Sequence, residues 1–266
     1  MTLAGWDCHA HVFGPYAQWP LAGSAVHAPP EATEAMYAAL LQRLGLGRGV
    51  LVHPSAYGED HGLLLAALAA HPQWRGVVVP VPGAPAAFSG LRERGVRGAR
   101  FSHRPGADFP GSARLDDLER LAPALADAGL HAELWTTAAA LPAIAHRLQT
   151  LPVPVVIDHM GGFDATAGID APGFAALRQL LAQGRVWVKL CAYRNLLGQP
   201  DAEAGAPFVQ ALLQANAEQL VWGSDWPHLR VAPVPDTAAL LAQGQRWIGA
   251  ADVDRVLVHN PNRLYG

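Results

Sequence analysis

The sequence predicts an α/β fold, a single (β/α)8 TIM barrel with its active site at the C-terminal ends of the strands. Three observations point there. About eight short apolar runs alternate with stretches of helical periodicity, no long linker separates them, and 266 residues is close to the length of about 250 usual for one such barrel. A doubly wound open sheet is the alternative. It usually has fewer strands, and here neither a Gly-x-Gly-x-x-Gly nor a P-loop follows the first strand. Residues 1–266 are therefore expected to form one domain.

Taken in order, the first strand-like run is Trp6-Asp7-Cys8-His9-Ala10-His11-Val12-Phe13. Period-two alternation places Asp7, His9 and His11 on one side, and Cys8, Ala10 and Val12 on the side that packs against helices. A Gly-, Pro- and aromatic-rich connection, Gly14 to Pro30, follows, then a helix over Glu31 to Leu46. The second strand runs to His53-Pro54-Ser55, followed by a helix over Asp60 to His71. The third strand covers Gly76 to Val81, with a helix over Ala84 to Arg94. The fourth, Val96 to Ser102, is read as a shorter strand, followed by a strongly amphipathic helix over Leu115 to Ala128. Leu130 to Trp135 is the fifth strand and Ala138 to Leu151 its helix. Val153 to His159 is the sixth, with a helix over Pro172 to Gln183. Arg185 to Tyr193 is the seventh, with a helix over Pro207 to Asn216. Gln219 to Asp225 is the eighth, followed by Thr237 to Ile248 and a short terminal piece, Val253 to Tyr265.

Composition narrows the function classes. A hydrophobic fraction of 51% supplies a large core, and a net charge of −3 gives no polyanion-binding surface, so nucleic acid is not expected as a partner. Cys8 and Cys191 are the only cysteines, too few for a disulfide framework, and read as core thiols in a reducing cytoplasm. No signal segment and no bilayer-spanning run of about 20 apolar residues is visible, so no membrane association is expected. Oligomeric state is left open.

In a barrel, catalytic groups sit at strand ends. Those ends here carry His9 and His11; His53 and Ser55, with Tyr57 just beyond; Arg100 and Ser102, with Arg104 nearby; Glu133; Asp158 and His159; Tyr193 and Arg194; and Asp225 with His228. A His-x-His pair, a late strand-end histidine and a last-strand aspartate are the ligand and base types that hydrolytic barrels need. Asp225 could take a proton from water, His9, His11 and His159 could orient water or stabilise an oxyanion, and His9, His11 and Asp225 could ligate Zn²⁺ or another divalent ion. His27, His61, His71, His146 and His259 read as ordinary surface or capping residues.

These stretches resemble the amidohydrolase superfamily, and within it the branch of lactonases typified by 2-pyrone-4,6-dicarboxylate lactonase and related sugar lactonases. The resemblance rests on Asp7 to Pro15, Val96 to Phe101, Ile157 to Gly161, Val186 to Leu190, Gly223 to His228 and the terminal Asn260 to Tyr265. It implies a hydrolase of small acidic or sugar-derived lactones, with Asp225 as general base and His9, His11 and His159 around the substrate carbonyl. Arg100 and Arg194 would hold a substrate carboxylate; Arg104, whose spacing departs from the family's second arginine, and Ser55, Tyr57 and His228 beside the strand ends are further candidate substrate contacts. The chain departs from the two-metal members in having Arg100 where they carry a carboxylated lysine, and Glu133 and Trp135 in the region of a fifth-strand histidine. Catalysis without a required metal is therefore the favoured expectation. The alternatives are a metal-dependent decarboxylase of an unsaturated acid and a non-catalytic organic-acid binding protein.

Overall fold

The structure, a computed structural model, describes residues 5–23, 25, 28–81, 88–104, 113–199 and 201–266. Eight parallel strands follow one another around a nearly closed barrel in the order β1-β2-β3-β4-β5-β6-β7-β8. They are β1 (Trp6–Ala10), β2 (Arg48–Val52), β3 (Arg75–Val78), β4 (Val96–His103), β5 (His131–Thr136), β6 (Val155–Ile157), β7 (Val186–Leu190) and β8 (Leu220–Trp222). The helices are α1 (Glu34–Leu44), α2 (Gly62–Ala70), α3 (Leu115–Asp127), α4 (Leu141–Gln149), α5 (Pro172–Ala182), α6 (Ala206–Asn216), α7 (Thr237–Ile248) and α8 (Asn260–Tyr265). In α3, Leu115, Leu118, Leu121, Ala122 and Leu125 are buried at helical spacing, the stripe that fastens an outer helix to the barrel wall.

Alternation along the strands separates two cores. Val50, Val52, Val77 and Val221 cluster inside the barrel with Cys8, Trp6 and Tyr265. Their neighbours Leu51, Val78, Leu220 and Trp222 join the larger cluster that includes the helix residues. Tyr265 closes the bottom: its ring stacks on Trp6 with centroids 6.0 Å apart, and its hydroxyl donates to Glu133 at 3.1 Å. Asn262 accepts from the Trp6 indole at 3.1 Å, and Asn260 donates to the Leu220 carbonyl at 2.8 Å. The terminal Asn260 to Tyr265 stretch is thus the plug of the barrel.

Several expectations are corrected. Asp7 does not share a face with His9 and His11. The register against β2 shifts between Asp7 and Ala10, a bulge that inserts one residue and resets the alternation. Cys8 therefore faces the inner core, while Asp7 accepts from Ser224 N at 2.8 Å and Ser224 Oγ at 2.6 Å. β4 is the longest strand rather than a short one, spanning eight residues. β6 stops at Ile157, because His159 and Met160 adopt left-handed φ of 50° and 53°. Of the helix expected over Ala84 to Arg94, residues 84–87 lie outside the described residues, as do 82 and 83 before it, and residues 89–95 form turns. Residues 24, 26 (with His27) and 105–112 of the two mouth loops also lie outside the described residues.

Barrel closure between β1 and the segment after β8 takes place at the mouth. Asp225 N donates to His9 O at 2.7 Å, and His11 N donates to Trp226 O at 2.8 Å. Gly223 permits this approach, since a Cβ there would lie 2.6 Å from the His9 Cβ and 3.0 Å from its backbone nitrogen. We expect Gly223→Ala to lower stability by about 1–3 kcal/mol, read by denaturant unfolding, because backbone rather than a flexible side chain must yield. An unchanged midpoint would show that the closure tolerates a wider gap.

Candidate active site

The closure brings His-x-His and Asp225 into one constellation. Asp225 is buried and sits at a left-handed φ of 60°, as His159 does at 50°. Side chains outside glycine pay about 1–2 kcal/mol for this region, so both positions hold strained backbone. The Asp225 carboxylate is divided between two environments. Its Oδ2 accepts from the Tyr193 hydroxyl at 2.8 Å and from Arg194 Nε, whereas Oδ1 faces His11 Nε2 at 3.5 Å and His9 Nε2 at 3.7 Å. Burial alone would raise the carboxyl pKa. The neighbouring His159, His11, His9 and Arg194 outweigh it and hold the group well below the usual carboxylate range. Asp225 is therefore ionised, with one oxygen committed and one facing the cavity.

The histidines differ from one another. His11 Nδ1 lies 2.7 Å from the Val52 carbonyl, which can only accept, so the neutral ring carries its proton on Nδ1. His11 Nε2 is then a bare lone pair facing the bare Asp225 Oδ1. Two acceptors 3.5 Å apart need a shared partner, either a water that donates to both or a cation. His9 is fully buried, and burial together with the charge of Lys189 pushes its pKa down to about 3. Its Nε2 has no hydrogen-bond partner among the described residues. His159 packs against His9 with ring centroids 4.7 Å apart, and burial lowers its pKa to about 4.

Beneath this layer lies an ion network for which no role was read in the sequence. Lys189 on β7 is fully buried and donates to Glu133 Oε2 at 2.7 Å and to His9 Nδ1 at 3.1 Å, with Asp158 Oδ1 at 3.4 Å. Arg100 Nε donates to Asp158 Oδ2 at 2.9 Å. Burial favours the neutral form of all three groups. Mutual attraction outweighs it, raising Lys189 and lowering Glu133 and Asp158. The signal for this network was present as charged residues in otherwise apolar runs, Val186-Trp187-Val188-Lys189-Leu190 and His131-Ala132-Glu133-Leu134.

Above the network opens a cavity of about 350 Å³, lined by His11, Ser55, Arg100, Arg104, His159, Arg194, Asp225 and Arg230, with Trp135 on one wall. The guanidinium carbons of Arg104 and Arg100 lie 4.3 and 5.1 Å from the centre of the Trp135 ring. Four arginines against one carboxylate among the described lining residues make this an anion-accepting space. Two expected contacts do not lie on its wall. The Tyr57 hydroxyl accepts from Gly14 N at 2.7 Å, steadying the loop after β1. His228 is buried against Thr237 Oγ1 at 2.8 Å, its ring edge-on to Tyr193. Arg194 does line the cavity, although its Nε is spent on Asp225 and its Nη1 on the Leu229 carbonyl.

Among the described residues, three groups of donor side chains stand close enough to share a metal ion. The ligand atoms of His9, His11 and Asp225 lie within 4.8 Å of one another, as do those of His9, Asp158 and His159 and of His159, Cys191 and Asp225. The facing acceptors on His11 and Asp225 offer a divalent ion two ligands of the kind imidazole and carboxylate supply, and His9 Nε2 becomes a third only with its ring proton on Nδ1. No described helix is long and apolar enough to cross a membrane.

Removing the negative partner from Lys189 tests the network. Glu133→Gln is expected to destabilise the fold by about 3 kcal/mol in denaturant unfolding, because it leaves a buried ammonium short of charge. A loss under about 1 kcal/mol would show that Asp158 suffices alone.

A family model described as Amidohydrolase matches residues 6–266. A 4-sulfomuconolactone hydrolase of Rhizobium radiobacter is 34% identical over 98% of this chain and 89% of its own length. A 2-pyrone-4,6-dicarboxylate hydrolase of Comamonas testosteroni is 31% identical over 97% of this chain and 89% of its own. A Pseudomonas putida structure named for 2-pyrone-4,6-dicarboxylic acid hydrolase superposes with a TM-score of 0.84 at 33% identity, covering 100% of this chain and 98% of that one.

Proposed function

The chain belongs to the amidohydrolase family, and from that premise we propose that it hydrolyses a small anionic lactone with water activated by Asp225. The relatives at 31 and 34% identity are named as lactone hydrolases. The observation that carries the reading is the division of the Asp225 carboxylate: Oδ2 is saturated by Tyr193 and Arg194, and Oδ1 faces a bare imidazole nitrogen at 3.5 Å.

A water held between Asp225 Oδ1 and His11 Nε2 donates both protons inward and presents a lone pair to the lactone carbonyl carbon. As the carbon–oxygen bond forms, Asp225 takes one proton from the water. His159, which lines the cavity, donates a ring N–H to the developing oxyanion, and His9, fully buried behind it, turns Nε2 toward Asp225 Oδ1. Collapse of the tetrahedral intermediate breaks the ring C–O bond. Asp225 returns its proton to the leaving oxygen, giving a hydroxy acid and the original carboxylate. The arginines bind the substrate's acidic substituents, Arg104 on Trp135 and Arg100 from its seat on Asp158. Tyr57 and His228 act through others: Tyr57 steadies the loop after β1, and His228 backs Tyr193, which holds Asp225.

A divalent ion held by His11 and Asp225, with His9 only in its Nδ1–H form, would polarise the carbonyl and acidify the water. Every step above runs through this chain's own side chains, so chelator treatment is expected to leave turnover within about twofold. Lost activity that returns with zinc would assign the reaction to the metal-bound form.

Asp225→Asn should lower kcat on sulfo- or dicarboxy-lactones by about 10³-fold or more with the fold retained, and unchanged turnover would remove Asp225 from the base role. Because the Asp225 carboxyl lies well below the usual range, the active deprotonated form persists in mild acid. In His11→Gln, which removes the imidazole beside the water, the residual kcat/KM should then be flat from about pH 5 to 8 on its acidic side, and an acidic limb near neutrality in that variant would contradict an Asp225 base. Arg104→Met should raise KM for anionic lactones about tenfold or more and leave a neutral sugar lactone unaffected. An equal effect on both would place Arg104 outside anion binding.

A further inference from the structure

Lys189 has no part in substrate binding or proton transfer as described above, yet it is a fully buried ammonium in hydrogen-bond contact with His9. We propose that Lys189 is a positioning residue that fixes the tautomer of His9: by donating to Nδ1 it forces the imidazole proton onto Nε2, making His9 a hydrogen-bond donor toward Asp225 Oδ1 and a poor ligand for a divalent cation.

The geometry decides between two donors around one ring nitrogen. An ammonium has protons and no lone pair, so a Lys189–His9 contact at 3.1 Å requires an unprotonated Nδ1. The competing arrangement would place the proton on Nδ1 and aim it at Asp158 Oδ1. That pair stands at 3.4 Å, longer than the 3.1 Å contact with Lys189, so a proton on Nδ1 would reach Asp158 only at the expense of the closer ammonium. Lys189 is itself held by Glu133 at 2.7 Å, so its position does not depend on His9. A neutral imidazole carries one proton, and with Nδ1 accepting, that proton is on Nε2, the nitrogen facing the cavity-side Asp225 Oδ1 at 3.7 Å.

His9 and His11 are thereby opposites. Val52 O makes His11 Nε2 an acceptor, suited to a water proton, and Lys189 makes His9 Nε2 a donor, suited to hold the Asp225 carboxylate in place. Metal ligation through His9 Nε2 would need the reverse tautomer, with Nδ1–H donated to a carboxylate as in carboxylate–histidine–zinc triads. Asp158 is in place for that role and Lys189 occupies it first. The role of the donor rests on the lactonase reading, whereas the tautomer does not.

The test is long-range ¹H–¹⁵N NMR of the full-length enzyme with ¹⁵N-labelled histidine, as purified and after chelator dialysis, with His9 assigned through His9→Asn. The expected result is a neutral His9 protonated at Nε2 in wild-type chelated enzyme. Protonation at Nδ1 there overturns the proposal, whatever the catalytic activity. In Lys189→Met, His9 should switch to the Nδ1–H form. Zinc, titrated against a chromogenic chelator, should bind about tenfold more tightly. With chelator present, kcat should fall about 10²-fold with KM nearly constant. A folded Lys189→Met enzyme whose His9 keeps the Nε2–H form overturns it as well, since mere charge balance would leave the tautomer alone. Absence of lactone turnover in wild type would count against the proposed function without touching the tautomer.

Discussion

The two hydrogen bonds that close the barrel, Asp225 N to His9 O and His11 N to Trp226 O, set the position of everything catalytic at its mouth. They weld the end of the first strand to the turn after the last. Two residues more than 210 positions apart in the chain, His9 and Asp225, become backbone neighbours. Gly223 makes room for the approach, and the bulge in β1 turns His9 inward after Cys8 has already faced the barrel core. Strain at Asp225 and His159 is tolerated because the surrounding hydrogen bonds over-determine both turns.

Charge is layered above that weld and below it. The apolar bottom, plugged by Tyr265 on Trp6, excludes water from Glu133, Lys189 and Asp158. In a low-dielectric interior such a network survives only when its members are mutually paired, and here the pairing runs continuously from Glu133 to the cavity-lining Arg100. Anion binding at the wall and imidazole orientation at the centre are thus carried by one connected set of charges.

Much of this was legible in the sequence, for identifiable reasons. Strand count, the polar strand ends and the grouping of His9, His11, His159 and Asp225 follow from periodicity and from barrel topology, which are local or generic. The face assignment of Asp7 was not legible, because a one-residue bulge inverts period-two alternation without leaving a mark in composition. Tyr57 and His228 sit beside strand ends in sequence but behind the cavity wall in space, where loop geometry decides. Lys189 was overlooked because one charge in an apolar strand has no meaning until its partner Glu133, two strands away, is seen on the same inner side.

The central claim is that Asp225 acts as a general base through Oδ1, with water as the nucleophile. Single turnover in H₂¹⁸O with enzyme in excess tests it directly. Base catalysis predicts one ¹⁸O in the carboxylate of the opened product and none in the Asp225 peptide. Unlabelled product with ¹⁸O in Asp225 would show that the carboxylate attacks the lactone itself, and would contradict the account.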